Sequence, residues 1–305
     1  MLVELVTQVR GGAVEAQVVV ADNGLNPRVV DRLHGKGAEV ISMNGNRGFS
    51  AAVNAGARHA DGDILVVLND DLGVDPGFLS ALVAPVLSGA TMSAGVLLDA
   101  TRPHMIETAG LEIDRTLGAH DYLRGRPVNV LEHGVQPPLA PCGAAAAYAM
   151  DAFLRIGGFD EGFFAYFEDL DLALRLRREG ASCALAIEAR ALHAGSATLG
   201  TGSIEKALLV GFSRGYVIRK YGVVSKWRAR TAVLAVAQEV AASILLAVRH
   251  RSFAPAKARI RGWRACRVRA ERPPEEALTV SVCQAWLRRY SRAHAARDRA
   301  QRLAA

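Results

Sequence analysis

Asn69-Asp70-Asp71 closes an apolar run, residues 63–69, that reads as a buried strand. Two carboxylates at such a strand end are costly unless a cation or hydrogen-bond donors neutralise them. Mg2+ or Mn2+, held by one or two carboxylates and completed by substrate phosphates, is the natural solution. Taken alone, the same residues also fit a solvated turn. A second acidic group, Glu168-Asp169-Leu170-Asp171, opens a predicted helix. The helix dipole favours negative charge there by about 0.3–1 kcal/mol, so ordinary first-turn decoration competes with a functional reading. The preceding residues favour function. Of nine Phe and six Tyr in the chain, five lie between 159 and 167. Aromatic walls beside acids suggest a shaped pocket with a general base. An acid at the helix start is expected to stay ionised, although the dipole weakens it as a proton acceptor. His193 becomes a metal-ligand candidate if the fold brings it near Asp71. Asn46-Arg47-Gly48-Phe49-Ser50 feeds a helix whose open amides, with Arg47, could meet a phosphate; a plain helix start with a surface arginine is the even alternative.

The elements that must position these groups alternate. Leu2, Leu5 and Val9 share a helical face, residues 17–22 read as a strand, and a short helix runs to His34. A second strand covers 38–43, a helix capped by Ser50 runs to about His59, and the third strand is 63–69. This alternation predicts an α/β fold with a mostly parallel sheet and helices on both faces. Ligands then bind beyond the carboxyl ends of the strands, here at Asp22-Asn23-Gly24, 44–49 and 69–71. Residues 100–140 show no clear period. Order returns at 142–150 and 153–158, then a helix over 167–179 and a strand over 183–187. Beyond Lys206 the pattern is helical.

The chain has 305 residues, 50% hydrophobic and 22% charged, which excludes a disordered or collagen-like chain. Its four cysteines form no Cys-x-x-Cys pair, and Met1-Leu2-Val3-Glu4 lacks the features of a signal peptide, so a reducing, cytoplasmic setting is expected. The net charge of +7 divides unevenly. Residues 226–305 hold 18 basic and 5 acidic residues (+13), leaving 19 and 25 (−6) for 1–225. The expected organisation is a catalytic domain over 1–225 and a helical basic region over 226–305. Within the latter, 231–248 is apolar except for Gln238, Glu239 and Ser243. A central acid is expensive in hydrocarbon, so a helix lying on an anionic membrane surface is favoured over a spanning one. A solvated charged helix is the close alternative. Nucleic acid is the weakest partner, since no reader motif is present.

The motifs in order resemble family-two glycosyltransferases, particularly the bacterial rhamnosyltransferase-like branch, over residues 2–222. They are Val-Ala-Asp-Asn-Gly at 20–24, Asn-Arg-Gly-Phe-Ser-Ala-Ala-Val-Asn-Ala-Gly at 46–56, Leu-Asn-Asp-Asp at 68–71, Gly-Gly-Phe-Asp-Glu-Gly-Phe-Phe at 157–164, Glu-Asp-Leu-Asp at 168–171 and His-Ala-Gly-Ser at 193–196. The resemblance implies a nucleotide-sugar-binding glycosyltransferase A-type fold and an inverting, metal-dependent sugar transfer. By it, Asp22 approaches the nucleobase, with Asn23, Arg47, Asn69 and Asp70 on the donor side. Asp71 and His193 hold Mg2+ or Mn2+, and Asp169, with Glu168 beside it, is the general base. The implied donor is a nucleotide sugar, dTDP-rhamnose by resemblance, and the acceptor is lipid- or glycan-linked. The implied location is the inner face of the cell membrane. One departure stands out: the family opens on an apolar strand and a Thr-Tyr-Asn-like loop, whereas this chain opens on the helix. A start upstream of Met1 is the expected reason. The competing functions are an inactive membrane-bound sugar-nucleotide-binding or scaffold module and a nucleotidyltransferase. The latter would want a Gly-rich basic loop after its first strand.

Overall fold

The computed structural model describes residues 2–12, 14–194, 202–274 and 277–278. The chain runs α1 (Leu2–Arg10), β1 (Val19–Asp22), α2 (Pro27–His34), β2 (Glu39–Ser42), α3 (Phe49–His59), β3 (Ile64–Leu68), β4 (Leu72–Val74) and α4 (Phe78–Leu87). It continues with β5 (Met92–Asp99), β6 (Arg102–Thr108), β7 (Leu111–Ile113), β8 (Ala119–Asp121), a 3-10 turn (Val128–His133), β9 (Ala145–Ala149), α5 (Met150–Arg155), α6 (Glu168–Arg178) and β10 (Cys183–His193). Three helices follow: α7 (Ile204–Lys220), α8 (Ala229–His250) and α9 (Ala254–Ala265).

The α/β class and the helical C-terminal region are as expected, but the sheet is mixed rather than mostly parallel. Its main body has the order β3-β9-β5-β10-β4, with β6 paired to β5. Only β5 and β10 run parallel within it; β3, β4, β6 and β9 all pair antiparallel to their neighbours. The strand-helix alternation that predicts parallel pairing holds for β1 and β2. It fails where β9 and β4 insert without a crossover helix of their own. The unperiodic stretch 100–140 is also ordered, as β6, the β7–β8 hairpin and the 3-10 turn. Strands of three residues are too short to display a period of two.

The β1–β2 pair is not hydrogen-bonded to the main sheet, and among the described residues no strand covers the outer edge of either β1 or β3. Helices bridge the break. Leu5 of α1 enters the cluster of Leu72, Phe78 and Leu82, while Val6 one residue on packs with Leu33 and Ala38. On α3, Ala57 joins the core of Leu65, Val67 and Tyr148. Side chains add two ties: the Asp61 amide donates to Gln17 Oε1, and His59 pairs with Glu39 at 2.8 Å.

One apolar cluster crosses residue 225, joining Phe163, Leu170, Tyr216, Tyr221 and Trp227 to Ala235 of α8 and to Cys266. Helices α7 and α9 meet backbone to backbone. A Cβ on Gly215 would fall on the Arg259 carbonyl, and one on Gly262 on that of Phe212. No side chain larger than hydrogen fits that crossing.

Candidate active site

Strand register assembles the first cluster. His193, the last residue of β10, lies opposite Leu72 of β4 and Asp99 of β5. Asp71 immediately precedes β4, and its carbonyl accepts the amide of Ala194 at 3.2 Å. The imidazole is thus set between two acids, with Nε2 3.2 Å from Asp71 Oδ1 and Nδ1 2.9 Å from Glu107 Oε2 on β6. Hydrogen bonds to Asp71 and Glu107 outweigh desolvation and push the His193 pKa up to about 9. Glu107 was not legible in the sequence, because it lies in the stretch without a period and no acidic neighbour marks it. Asp70 is exposed; desolvation of its carboxyl and the charge of Asp71 raise its pKa. The remainder of the His-Ala-Gly-Ser motif, Gly195 and Ser196, lies outside the described residues.

The second cluster is Glu168 and Asp169 at the start of α6. Tyr166 and Phe167 before them have φ of 69° and 71°. Two successive non-glycine residues in the left-handed region are strained, and such strain persists only where surrounding structure imposes it. Glu168 is buried and its Oε2 has no hydrogen-bond partner among the described residues. Burial, then the charge of Asp169, lift it well above the carboxylate range. Asp169 keeps partial solvent access. Burial raises its pKa, opposed by the amides of Gly143 (3.2 Å) and Leu170 (2.8 Å), which donate to its two oxygens. The net direction is upward. The weakening by the helix dipole expected from sequence is therefore overcome by burial. Glu168 is the more deeply buried of the two acids, and Asp169 is the one partly open to solvent.

The two clusters are joined through a short segment. Gly143 donates to Asp169, and the next residue, Ala144, accepts the Asn69 amide at 3.0 Å. The third candidate group attaches on the other side. Asn23 at the end of β1 donates from Nδ2 to the Gly48 carbonyl (3.1 Å) and accepts the Arg47 amide on Oδ1 (3.0 Å). Phe49 in turn donates its amide to the Phe164 carbonyl at 2.7 Å, three residues before the strained pair. Gly48 is required there, with φ of 86° and a Cβ position already filled by Phe164. Hydrogen bonds thus link the segments that carry Asn23, Arg47, Asn69 and Asp169, with Asp22, Asp70, Asp71 and Glu168 as their chain neighbours and His193 joined through Asp71.

Some expectations change. Ser50 does not cap α3, which starts at Phe49 after Gly48; Ser50 is buried inside the helix. The Phe49 amide, one of those proposed to meet a phosphate, is taken by Phe164, and Arg47 is exposed. One oxygen of Asp22 is occupied by the amides of Gly24 and Leu25 and builds the turn after β1. The aromatic run is less a wall than a wedge. Phe159 packs against Phe49, Tyr148 and Phe153, and Phe163 against Tyr216, all in the core. Only Phe164 is exposed among these rings. Asn54 binds the same segment, donating to the Phe159 carbonyl at 2.8 Å and accepting its amide at 2.9 Å.

Among the described residues no three His, Cys, Asp or Glu side chains group so as to hold a metal on their own. Asp71 and His193 nevertheless fit two neighbouring positions on Mg2+ or Mn2+. Ligands about 2.1 Å from an octahedral ion and at right angles lie about 3.0 Å apart, and these atoms are 3.2 Å apart. Such ions are commonly completed by substrate phosphate and water rather than by an all-protein cage. Glu107 on the far nitrogen is placed as an orienting partner rather than a ligand. Asp70 also lines a cavity of about 540 Å³ with Leu2, Leu25, Val29, Arg32 and Lys36, within the usual range for ligand pockets.

Residues 2–102 match Glycosyl transferase family 2. The low-salt glycan biosynthesis hexosyltransferase Agl10 of Haloferax volcanii is 24% identical over 178 residues, 54% of this chain and 54% of that protein. The O-antigen biosynthesis protein RfbC of Myxococcus xanthus is 27% identical over 174 residues, 52% of this chain and 13% of that protein. The chain spans about half the length of the first and a small part of the second. The crystal structure of GalNAc-T7 with UDP, GalNAc and Mn2+ superposes with a TM-score of 0.50 at 15% identity, over 69% of this chain and 43% of that one. That likeness is one of fold, and the fold is glycosyltransferase A-like. The glycosyltransferase A-like fold and the match of residues 2–102 to Glycosyl transferase family 2 are thus what this chain shares with those proteins.

Proposed function

We propose that the protein transfers a sugar from a nucleoside-diphosphate donor, with dTDP-rhamnose the first to try, to a hydroxyl of a lipid- or glycan-linked acceptor, with inversion. The observation that carries this reading is the acid pair Glu168–Asp169, raised in pKa with no ion pair among the described residues and tied through Gly143 and Ala144 to Asn69-Asp70-Asp71. Asp169 takes the acceptor proton as the hydroxyl attacks the anomeric carbon and the bond to the diphosphate oxygen breaks. Glu168 keeps its proton, so the pair carries one negative charge rather than two. Asp71 and His193 would hold Mg2+ or Mn2+, and that ion, when bound, would supply positive charge to the diphosphate leaving group. Asp22 and Asn23 sit on the nucleoside side, and Arg47, exposed on the adjoining loop, faces the donor's charge. The names of the two relatives, in glycan and O-antigen biosynthesis, support an acceptor in cell-envelope glycan synthesis.

The test is sugar release and transfer with dTDP- and UDP-sugars, with Mn2+ or in EDTA, on the wild type and Asp71→Asn. Metal-dependent turnover lost in the variant is expected; equal rates in EDTA would overturn it. The break between β1 and β3 favours one other reading, a module that binds the sugar nucleotide without turning it over. It predicts donor affinity with no released diphosphate.

A further inference from the structure

Helix α8 is amphipathic the wrong way round for a helix in water. Its polar residues face the protein. Gln238 accepts a hydrogen bond from Thr116 Oγ1, and Glu239 pairs with Arg214 (2.6 Å) and Arg259 (2.8 Å). Arg214 also donates to the carbonyls of Thr116 and Leu117. From 231 to 248 every exposed residue is apolar. Val233, Val236, Val240, Ile244 and Val248 recur at helical spacing and are 46–74% exposed, with Leu245 beside them at 64%. A face of this length without a partner among the described residues marks an interaction surface.

Its chemistry selects the partner. The exposed stripe is aliphatic throughout, without the aromatic and arginine anchors that protein interfaces favour at their centre. Exposed arginines flank it instead, Arg228 and Arg230 before and Arg249 and Arg251 after, and exposed Phe253, Lys257, Ile260 and Arg261 follow. An apolar stripe bounded by arginines matches an anionic bilayer, where acyl chains take the former and phosphates the latter. Spanning is a second possibility by length, since 22 residues rise about 33 Å. The ion pairs of Glu239 argue against it. Crossing would either drag Arg214 and Arg259 into hydrocarbon or leave Glu239 there alone.

We infer that α8 lies in the plane of an anionic membrane, its outward stripe immersed and its polar side clamped to the α7–α9 pair and to the β7–β8 turn. This goes beyond the sugar-transfer reading and is tested without donor or acceptor.

The experiment is flotation of the full chain with neutral phosphatidylcholine vesicles and with vesicles containing phosphatidylglycerol. Binding to anionic vesicles that weakens at least tenfold between 0.05 and about 0.5 M salt is expected as charges are screened. Alkaline carbonate should release the protein, as it does not release a spanning helix. Val240→Glu with Ile244→Glu should reduce binding at least tenfold with an unchanged melting curve, since both positions are outside the core. Arg249→Gln with Arg251→Gln should reduce binding to anionic vesicles only. Wild-type binding by the double-Glu variant overturns the proposal, as does resistance to carbonate. A dimer dissolved by the double-Glu variant, with no vesicle binding, assigns the face to a second copy instead. Either result leaves the turnover assay of the proposed function intact.

Discussion

Glu168 and Asp169 share the first turn of α6 with Asp171, yet the two sites have opposite surroundings. Asp171 is fully buried and neutralised: Arg175 Nε lies at 2.8 Å, Lys220 Nζ at 2.6 Å, and the Tyr221 hydroxyl donates to it at 3.0 Å. Lys220 also pairs with Asp160 at 2.6 Å, which fastens α7 to the glycine-rich segment before α6. Glu168 and Asp169 have backbone amides and each other, and their pKa values rise. An acid given cations stabilises a fold, whereas an acid pair left without them costs stability and is poised to hold or accept a proton. The difference separates structure from chemistry inside one turn of helix.

The largest effect that tests this division is on rate. Asp169→Asn is expected to lower kcat by about 10²–10⁴-fold while leaving donor affinity and melting temperature near wild type. Steady-state kinetics, calorimetry with the nucleoside diphosphate and a thermal melt check the three parts. A variant that keeps most of its kcat makes Asp169 helix decoration.

Lys220→Met should do the reverse. It removes the cation shared by Asp160 and Asp171 and leaves the buried Asp171 and the half-buried Asp160 with less compensation, at a cost of about 3–5 kcal/mol. Urea unfolding reads that cost, and donor binding just below the transition should persist. If the loss is under about 1 kcal/mol, the network is not the fastener described here.

The sequence showed the three acids of α6 but could not divide them. Their partners, Gly143, Arg175, Lys220 and Tyr221, come from distant segments, and the division depends on which acid each one meets. The elements that carry the motif residues were legible, because β1, β3 and α6 have strong local patterns, whereas singling out Asp22 and Asp169 on them came from the resemblance. The antiparallel insertion of β9 and β4 was not, since pairing direction leaves no mark on hydrophobic periodicity. Likewise the inward turn of Glu239 needed Arg214 and Arg259 in place, although the apolar run around it was plain from composition.

A smaller effect sharpens the role of Glu107. If it orients His193 toward a cation at Asp71, Glu107→Gln should weaken Mn2+ affinity in the presence of UDP by about 10–100-fold. KM for donor at saturating metal should move little. Calorimetric titration of the metal measures the first, and an unchanged affinity would make Glu107 a partner of the metal-free imidazole only.

The smallest effect concerns acid stability and carries the comparison to the C-terminal region. Asp114, in the turn that α8 grips through Thr116, is buried, which alone would raise its pKa. His120 at 2.8 Å, Thr116, Arg214 and the Gly118 amide overcome that and hold it at about 2. An unfolded aspartate titrates near 3.9, so the folded pKa is depressed. Its contribution is therefore complete above about pH 4 and lost as pH falls through about 2, amounting to roughly 2 kcal/mol. Glu168 carries the opposite sign: its pKa is raised, so it disfavours the folded state as pH rises above the unfolded value near 4.3. Unfolding free energies measured from pH 5 down to pH 2 should fall less steeply in Asp114→Asn than in wild type. Glu168→Gln should gain stability relative to wild type near pH 7. Parallel slopes for Asp114→Asn and wild type would mean that the His120 and Arg214 contacts do not favour the charged form, and the contrast between neutralised and unneutralised acids would then hold for α6 alone.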